Sequence, residues 1–395
     1  ISLVRILFPG ASLLVLSAWC LGILNSHRKL FLSYAAPVMW SGTMIATLLL
    51  YGGRSTLTDL ARTLAWGSVL GSALQFGVQI PFVLRLARRL RIQLDVNSGQ
   101  VREVLRNFVP VFVSRGVVQI SAYVDALLAS LLPTGAVTGL MNAQILYVLP
   151  VSLFGMSVSA AELPVMSSAL GSTEEVAAAL RERIDSGLRH VAFFIVPSAA
   201  AFLAFGDLVA GALLQTGRFI RADALYVWGI LAGASIGLLA STMGRLYSSA
   251  YYALRDTRTP LRFAVIRVAL TTALGYVCAK PLPYWIGIDP RWGVAGLTAS
   301  AGVAGWLEFS LLRRELHRRI GPPPSMAGFL AKLWAAAGLA AVLGTAGRFL
   351  PIPATPILRA IVTLGPFCAA YLFAAATFSA EGRRLLRLLQ RWRFQ

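Results

Sequence analysis

The sequence predicts an all-α polytopic membrane protein, on three observations. The 395 residues are 57% hydrophobic and only 13% charged, with a mean hydropathy of +0.70. No soluble chain of this length has enough interior to hide that much apolar surface. The apolar residues also fall into eleven long runs, and about 20 residues suffice to cross a hydrocarbon core of roughly 30 Å. Finally, Lys and Arg gather on every second connection between the runs. A net charge of +20 would otherwise suggest nucleic acid; confined to alternate connections, it reports topology.

Taken in order, the predicted spans are 3–24, 32–52, 60–84, 107–132, 136–169, 188–214, 222–252, 262–286, 292–312, 326–348 and 355–378. Each is a helix, because lipid cannot satisfy unpaired backbone N–H and C=O groups. The runs are too long and unbroken for a β-barrel, whose strands alternate over short segments. Twenty-four cations lie on one set of segments, among them Arg85, Arg255 and Arg267, and eight on the other set. The richer set is cytoplasmic by the positive-inside rule, which places the C-terminus in the cytoplasm. An odd number of spans then puts the N-terminus outside. The chain enters an apolar run directly at Ile1 without the charged flank or cleavage site of a signal peptide, so a fragment lacking upstream spans is expected.

Two connections are long. Residues 85–106 read as a basic amphipathic linker lying among headgroups, and as the boundary between two helix bundles. Residues 171–187 open with Ser172, Thr173 and Glu175 in a capping-box pattern and read as a short cytoplasmic helix. The tail 380–395 reads as a basic amphipathic helix on anionic lipid. Pro37, Pro81, Pro110, Pro150, Pro164 and Pro197 fall inside spans, where each removes an N–H and bends or opens its helix. Gly67 and Gly71 form a small-xxx-small packing pair.

No enzyme motif, metal-ligand set or cofactor loop is present. Cys20, Cys278 and Cys368 lie far apart within spans and read as small buried apolar residues. The informative residues are the polar ones inside spans. A mid-helix Arg costs about 2.5–3.5 kcal/mol on the insertion scale and so faces a cavity or a partner. Arg115 and Gln119 share a helix face at i, i+4, and Arg245 lies within another span. Asn142, Gln144 and Glu162 share one span, and Asp125 lies toward the outer end of its own. The functional reading is a cationic, water-filled cavity lined by Arg115, Gln119, Arg245, Asn142 and Gln144, with Asp125 or Glu162 as counter-charge or coupling site. The competing reading is a set of structural ion pairs between helices.

Several stretches carry a resemblance: VRILFPGASLLVLSAWCLGILNSHRKLFLSYAAPV at the start, ASLLPTGAVTGLMNAQILYVLPVSLFGMSVSAAELPVMS, TGRF at 216–219, and, most specifically, YYALRDTRTPLRFAV at 251–265. In that order they resemble the MurJ (MviN) lipid II flippase family, of the multidrug/oligosaccharidyl-lipid/polysaccharide exporter superfamily. The resemblance implies about 11 of fourteen helices of a two-lobe transporter: residues 1–84 as the remainder of the first lobe, 107–313 as the second, and 326–378 as two additional C-terminal helices. It implies movement of the undecaprenyl-pyrophosphate-linked peptidoglycan precursor from inner to outer leaflet by alternating access, in a bacterial inner membrane. The partners it implies are this anionic lipid and the surrounding membrane lipids, with neither nucleic acid nor cofactor.

Where the family typically shows Tyr-Ala-Asp-Arg, this chain has Asn142-Ala143-Gln144-Ile145. Arg115, in the adjacent span, is expected to replace the lost charge. Two other readings stand beside the first: a related polysaccharide-lipid flippase or multidrug exporter, from which the extra helix pair separates this chain, and a divergent, non-transporting membrane scaffold. With half of one lobe missing, the 395 residues alone are expected not to transport.

Overall fold

The computed structural model describes residues 2–27, 30–53, 56–86, 120–167, 172–322, 324–349, 355–379 and 382–383. Most of the predicted linker, the span start with Pro110, Arg115 and Gln119, and the tail beyond 383 lie outside the described residues. The chain divides into two compact units, Ile1–Glu103 and Val104–Gln395. Among the described residues nine helices are long and apolar enough to span a membrane, and two shorter apolar helices, Ala35–Tyr51 and Ile120–Ser130, complete the eleven.

Unit 1 is three helices, α1 (Ser2–Ser26), α2 (Leu30–Tyr51) and α3 (Leu57–Leu86), with α3 packed on both others. Lipid tails are as apolar as leucine, so close backbone approach must replace hydrophobic burial as the packing device. Gly67 and Gly71 supply it: a methyl group at Gly67 would meet Thr47, and one at Gly71 would meet the Trp40 ring and backbone of α2. Further along α3, one and two turns past Gly71, Gln75 Nε2 donates to Ser17 Oγ and Ser17 Oγ donates to Gln79 Oε1, both at 3.0 Å. Ser17 and Gln79 are fully buried.

Unit 2 is built around α8 (Arg221–Ala253), which packs on α7 (Thr173–Leu214) and α11 (Gly293–Ile320). Tyr247, Tyr251, Phe193 and Phe205 are the largest side chains buried in this core. Also in unit 2 are α4 (Ile120–Ser130), α5 (Ala136–Pro150), α6 (Ser157–Ser167), α9 (Arg258–Ala279), the short α10 (Pro281–Trp285), and the pair α12 (Ala327–Ala346) and α13 (Pro356–Phe378).

Two of the six prolines, Pro150 and Pro197, open their helices as expected. Pro150 ends α5, and the chain widens into a π-helical segment, Val151–Met156, before α6; a missing N–H favours such a slip. In α7, Pro197 has no N–H to offer the Phe193 carbonyl, and Tyr371 Oη of α13 donates to it at 2.6 Å. The bend in α7 lies further on, at Phe205 (φ −133°, ψ 16°). Trp228 Nε1 donates to the opened carbonyls of Phe202 and Leu203, both at 3.1 Å. Arg348 Nη2 donates to the Ala204 carbonyl at 2.9 Å and pairs with Asp207 at 2.6 Å. The freed carbonyls of α7 are thus the attachment points for α8 and the C-terminal pair.

One connection differs from the sequence expectation. The short helix expected at 171–187 is continuous with the following span, so α7 runs for 42 residues, about 63 Å. Buried Leu180, Ile184, Leu188 and Val191 keep one apolar stripe in phase across the expected break. Its start is the predicted capping box: Ser172 N–H donates to Glu175 Oε2 at 2.8 Å and Glu175 N–H to Ser172 Oγ at 3.4 Å.

Candidate functional site

The helices of unit 2 bring together polar residues that the sequence scatters. On α8, Ser241, Arg245, Ser248 and Tyr252 follow at i, i+4, i+7 and i+11 and so share one stripe. Most of the inner half of α8 is buried, yet Arg245 and Tyr252 are exposed. Arg245 lies eight residues before the helix end at Ala253, about 12 Å along the axis. Tyr147 Oη of α5 and Ser241 Oγ of α8 hydrogen-bond at 2.9 Å. From α9, Arg267 Nε approaches Glu308 Oε2 of α11 at 3.3 Å, with both side chains largely buried. The positive charges of Arg245 and Arg267 both reach Tyr147 and Glu308, and Arg267 also acts on Asp125 of α4.

The structure brings some of the expected residues near one another and leaves others apart. Arg245 lies on the α8 stripe, and among the described residues it makes no hydrogen bond or ion pair. Asp125 is half-buried beside Arg267, with Oδ1 buried and without a hydrogen-bond partner among the described residues. Asn142 is half-buried on α5, and Gln144 is exposed on that helix. Ile145, 58% exposed, shares the exposed face with Met141, Gln144, Val148 and Leu149, so this face of α5 carries no charge. Glu162 is half-buried on α6, near Gly187 of α7, where an added methyl would meet both Leu246 and the Glu162 side chain. Among the described residues, no hydrogen bond or ion pair joins it to the Arg245 group. Arg115 and Gln119 lie outside the described residues.

Two members were missed in the sequence. Arg267, counted there among the cytoplasmic cations, is nine residues inside α9. The apolar run of that span already starts at Phe263, and this was the available signal. Glu308 interrupts the apolar stretch GVAGWLEFSLL and is its one acid; a lone carboxylate in such a window requires a partner.

At the end of α8 the YYALRDTRTPLRF stretch forms a clamp. Asp256 N–H donates to the Tyr251 carbonyl and Arg255 N–H to the Tyr252 carbonyl, a Schellman pair around Arg255 at φ 59°. Asp256 then accepts from the Arg258 and Thr259 N–H groups, from Thr259 Oγ1 and from Arg319 Nη1 of α11. Desolvation pushes the Asp256 carboxyl up, but the bonds from Thr259, Arg319 and Arg258 together outweigh it and hold it at about 2. This stretch fixes the α8–α9 turn to α11.

Among the described residues, eleven apolar helices with a polar stripe within unit 2 define a polytopic membrane protein. The sequence model described as "Lipid II flippase MurJ" matches residues 1–365. The chain belongs to the MurJ family of lipid II flippases. It is 28% identical to the "Probable lipid II flippase MurJ" of Rhizobium meliloti (strain 1021), over 98% of this chain and 71% of that protein. With the "Lipid II flippase MurJ" of Burkholderia cenocepacia it shares 29% identity over 85% of this chain and 64% of that protein. With the "Probable lipid II flippase MurJ" of Haemophilus influenzae it shares 27% identity over 80% of this chain and 60% of that one. The fold matches a solved "Lipid II flippase MurJ, inward closed conformation" with a TM-score of 0.77 at 20% identity, over 98% of this chain and 75% of that structure.

Proposed function

We propose that this chain takes part in moving the undecaprenyl-pyrophosphate-linked peptidoglycan precursor from the inner to the outer leaflet by alternating access, in a bacterial inner membrane with the C-terminus in the cytoplasm. The observation that carries the site is Arg245: exposed on an otherwise buried stretch of α8, and unpaired among the described residues. A guanidinium at this depth cannot profitably face lipid, so it faces a water-filled space. Its planar fork suits pyrophosphate oxygens. Arg267 is paired with Glu308 and serves to set the geometry of α9 and α11 around the stripe. Arg115, in the adjacent span, supplies the second cation that Gln144 and Ile145 do not.

On this reading residues 1–84 are the remainder of the first lobe, 85–106 the linker, 107–313 the second lobe, and 326–378 the extra pair followed by the basic tail. Native mass spectrometry of the purified protein with lipid II and, separately, undecaprenyl phosphate tests the binding claim. Wild type retains lipid II, Arg245→Ala lowers retention about tenfold or more, and Arg245→Lys restores part of it. Equal retention by wild type and Arg245→Ala removes Arg245 from the site and favours the scaffold reading.

A further inference from the structure

At the end of unit 2 remote from Asp256, the end of α7, the start of α8 and the start of α13 close around a cavity of about 210 Å³. Its lining includes Asp207, Gln215, Arg221 and Arg359. We propose that it binds a phosphate group, at a site separate from the Arg245 stripe and independent of which lipid the protein carries.

The charge balance is the first argument. Asp207 is neutralised by Arg348 at 2.6 Å. Asp223, which does not line the cavity, accepts from the Ile220 N–H at 2.9 Å and caps α8. Arg221 and Arg359 have no ion pair among the described residues, so two like charges share one cavity and an anion relieves their repulsion. Rigidity is the second argument. Pro356 closes on Gly211, Thr355 Oγ1 caps α13 by accepting from the Leu358 N–H at 3.4 Å, and Arg348 ties the preceding turn to α7. Arg221 and Arg359 are exposed side chains that spring from two anchored helix ends, and the positive ends of α8 and α13 add to their field. Phosphate fits because each guanidinium can take two of its oxygens. The volume is below that of a drug-sized pocket, which suits a phosphate or a small headgroup and excludes a glycan-peptide.

The phosphate can come from a phospholipid headgroup or from solution, and two probes separate these sources. Native mass spectrometry from nanodiscs of dioleoyl phosphatidylglycerol and dioleoyl phosphatidylcholine reads the first. Thermal shift in detergent with added inorganic phosphate reads the second. Wild type is expected to retain phosphatidylglycerol over phosphatidylcholine, with the Arg221→Ala/Arg359→Ala variant weakened about tenfold and the Lys/Lys variant intermediate. Gln215→Glu, which keeps the shape and adds a negative charge, should weaken binding with both arginines in place. Lys280→Ala removes an exposed cation outside the cavity and should change nothing. A phosphate shift without lipid retention supports the site and assigns it to a soluble phosphate. The proposal is overturned if neither probe separates wild type from the double alanine variant, or if Lys280→Ala loses as much as that variant does.

Discussion

Both units place polar residues inside membrane-spanning helices, but of different kinds. In unit 1 the buried Ser17, Gln75 and Gln79 are neutral and bond to one another across α1 and α3. In unit 2 the inner residues are charged: Arg267 meets Glu308, Asp125 lies beside them, and Arg245 stays exposed and unpaired among the described residues. A neutral network costs little to place in lipid and holds helices together by about 0.6–2 kcal/mol per bond. Charged residues cost more to place, and stability alone does not account for an unpaired one. On the function proposed above, the difference separates glue from site.

The comparison can be broken first at the Arg267–Glu308 pair. Arg267→Ala strands a carboxylate and should cost about 3 kcal/mol, read as a large drop in thermal stability in detergent. Arg267→Ala/Glu308→Ala should recover most of that loss. A double variant as unstable as the single one would mean the pair is not what these groups do for each other.

A smaller effect is expected in unit 1. Ser17→Ala removes the hydroxyl that joins the two glutamines and should cost about 1 kcal/mol. Transport should fall only as far as protein level falls. A transport defect at normal protein level would put unit 1's network in the site as well.

The smallest effect concerns Asp256. Its folded carboxyl sits at about 2, below the ordinary value of 3.8, so its stabilisation is present above about pH 4 and fades as pH falls towards 2. Asp256→Asn should be less stable than wild type at pH 7 by about 1 kcal/mol or less, given solvent screening, and the two should converge near pH 2. A gap that persists at pH 2 would show that the shape of the side chain, and not its charge, makes the clamp.

The spans were legible because hydropathy and alternating cations are additive signals spread over many residues. The break expected before residue 188 was not real, since charged residues on one side of α7 hid an apolar stripe continuing on the other. Arg245 and Asp125 were legible as single charges inside apolar runs. Arg267 was not, because a cation near a span end looks like a topogenic one until the helix's start is seen. Ser17, Gln75 and Gln79 left little trace, since neutral polar residues barely interrupt hydropathy; the i, i+4 spacing of the two glutamines was the only mark. The Arg221–Arg359 cavity joins residues 138 apart in sequence and has no local signature.

The claim that the charged stripe of unit 2 is the substrate-facing site is tested most directly by transport itself. Cells depleted of their own lipid II flippase and supplied with the intact protein, as wild type, Arg245→Ala or Ser17→Ala at matched membrane levels, would be assayed for lipid II reaching the outer leaflet. The account predicts normal delivery by wild type and Ser17→Ala, and a loss of about tenfold or more with Arg245→Ala. Normal delivery by Arg245→Ala would contradict it.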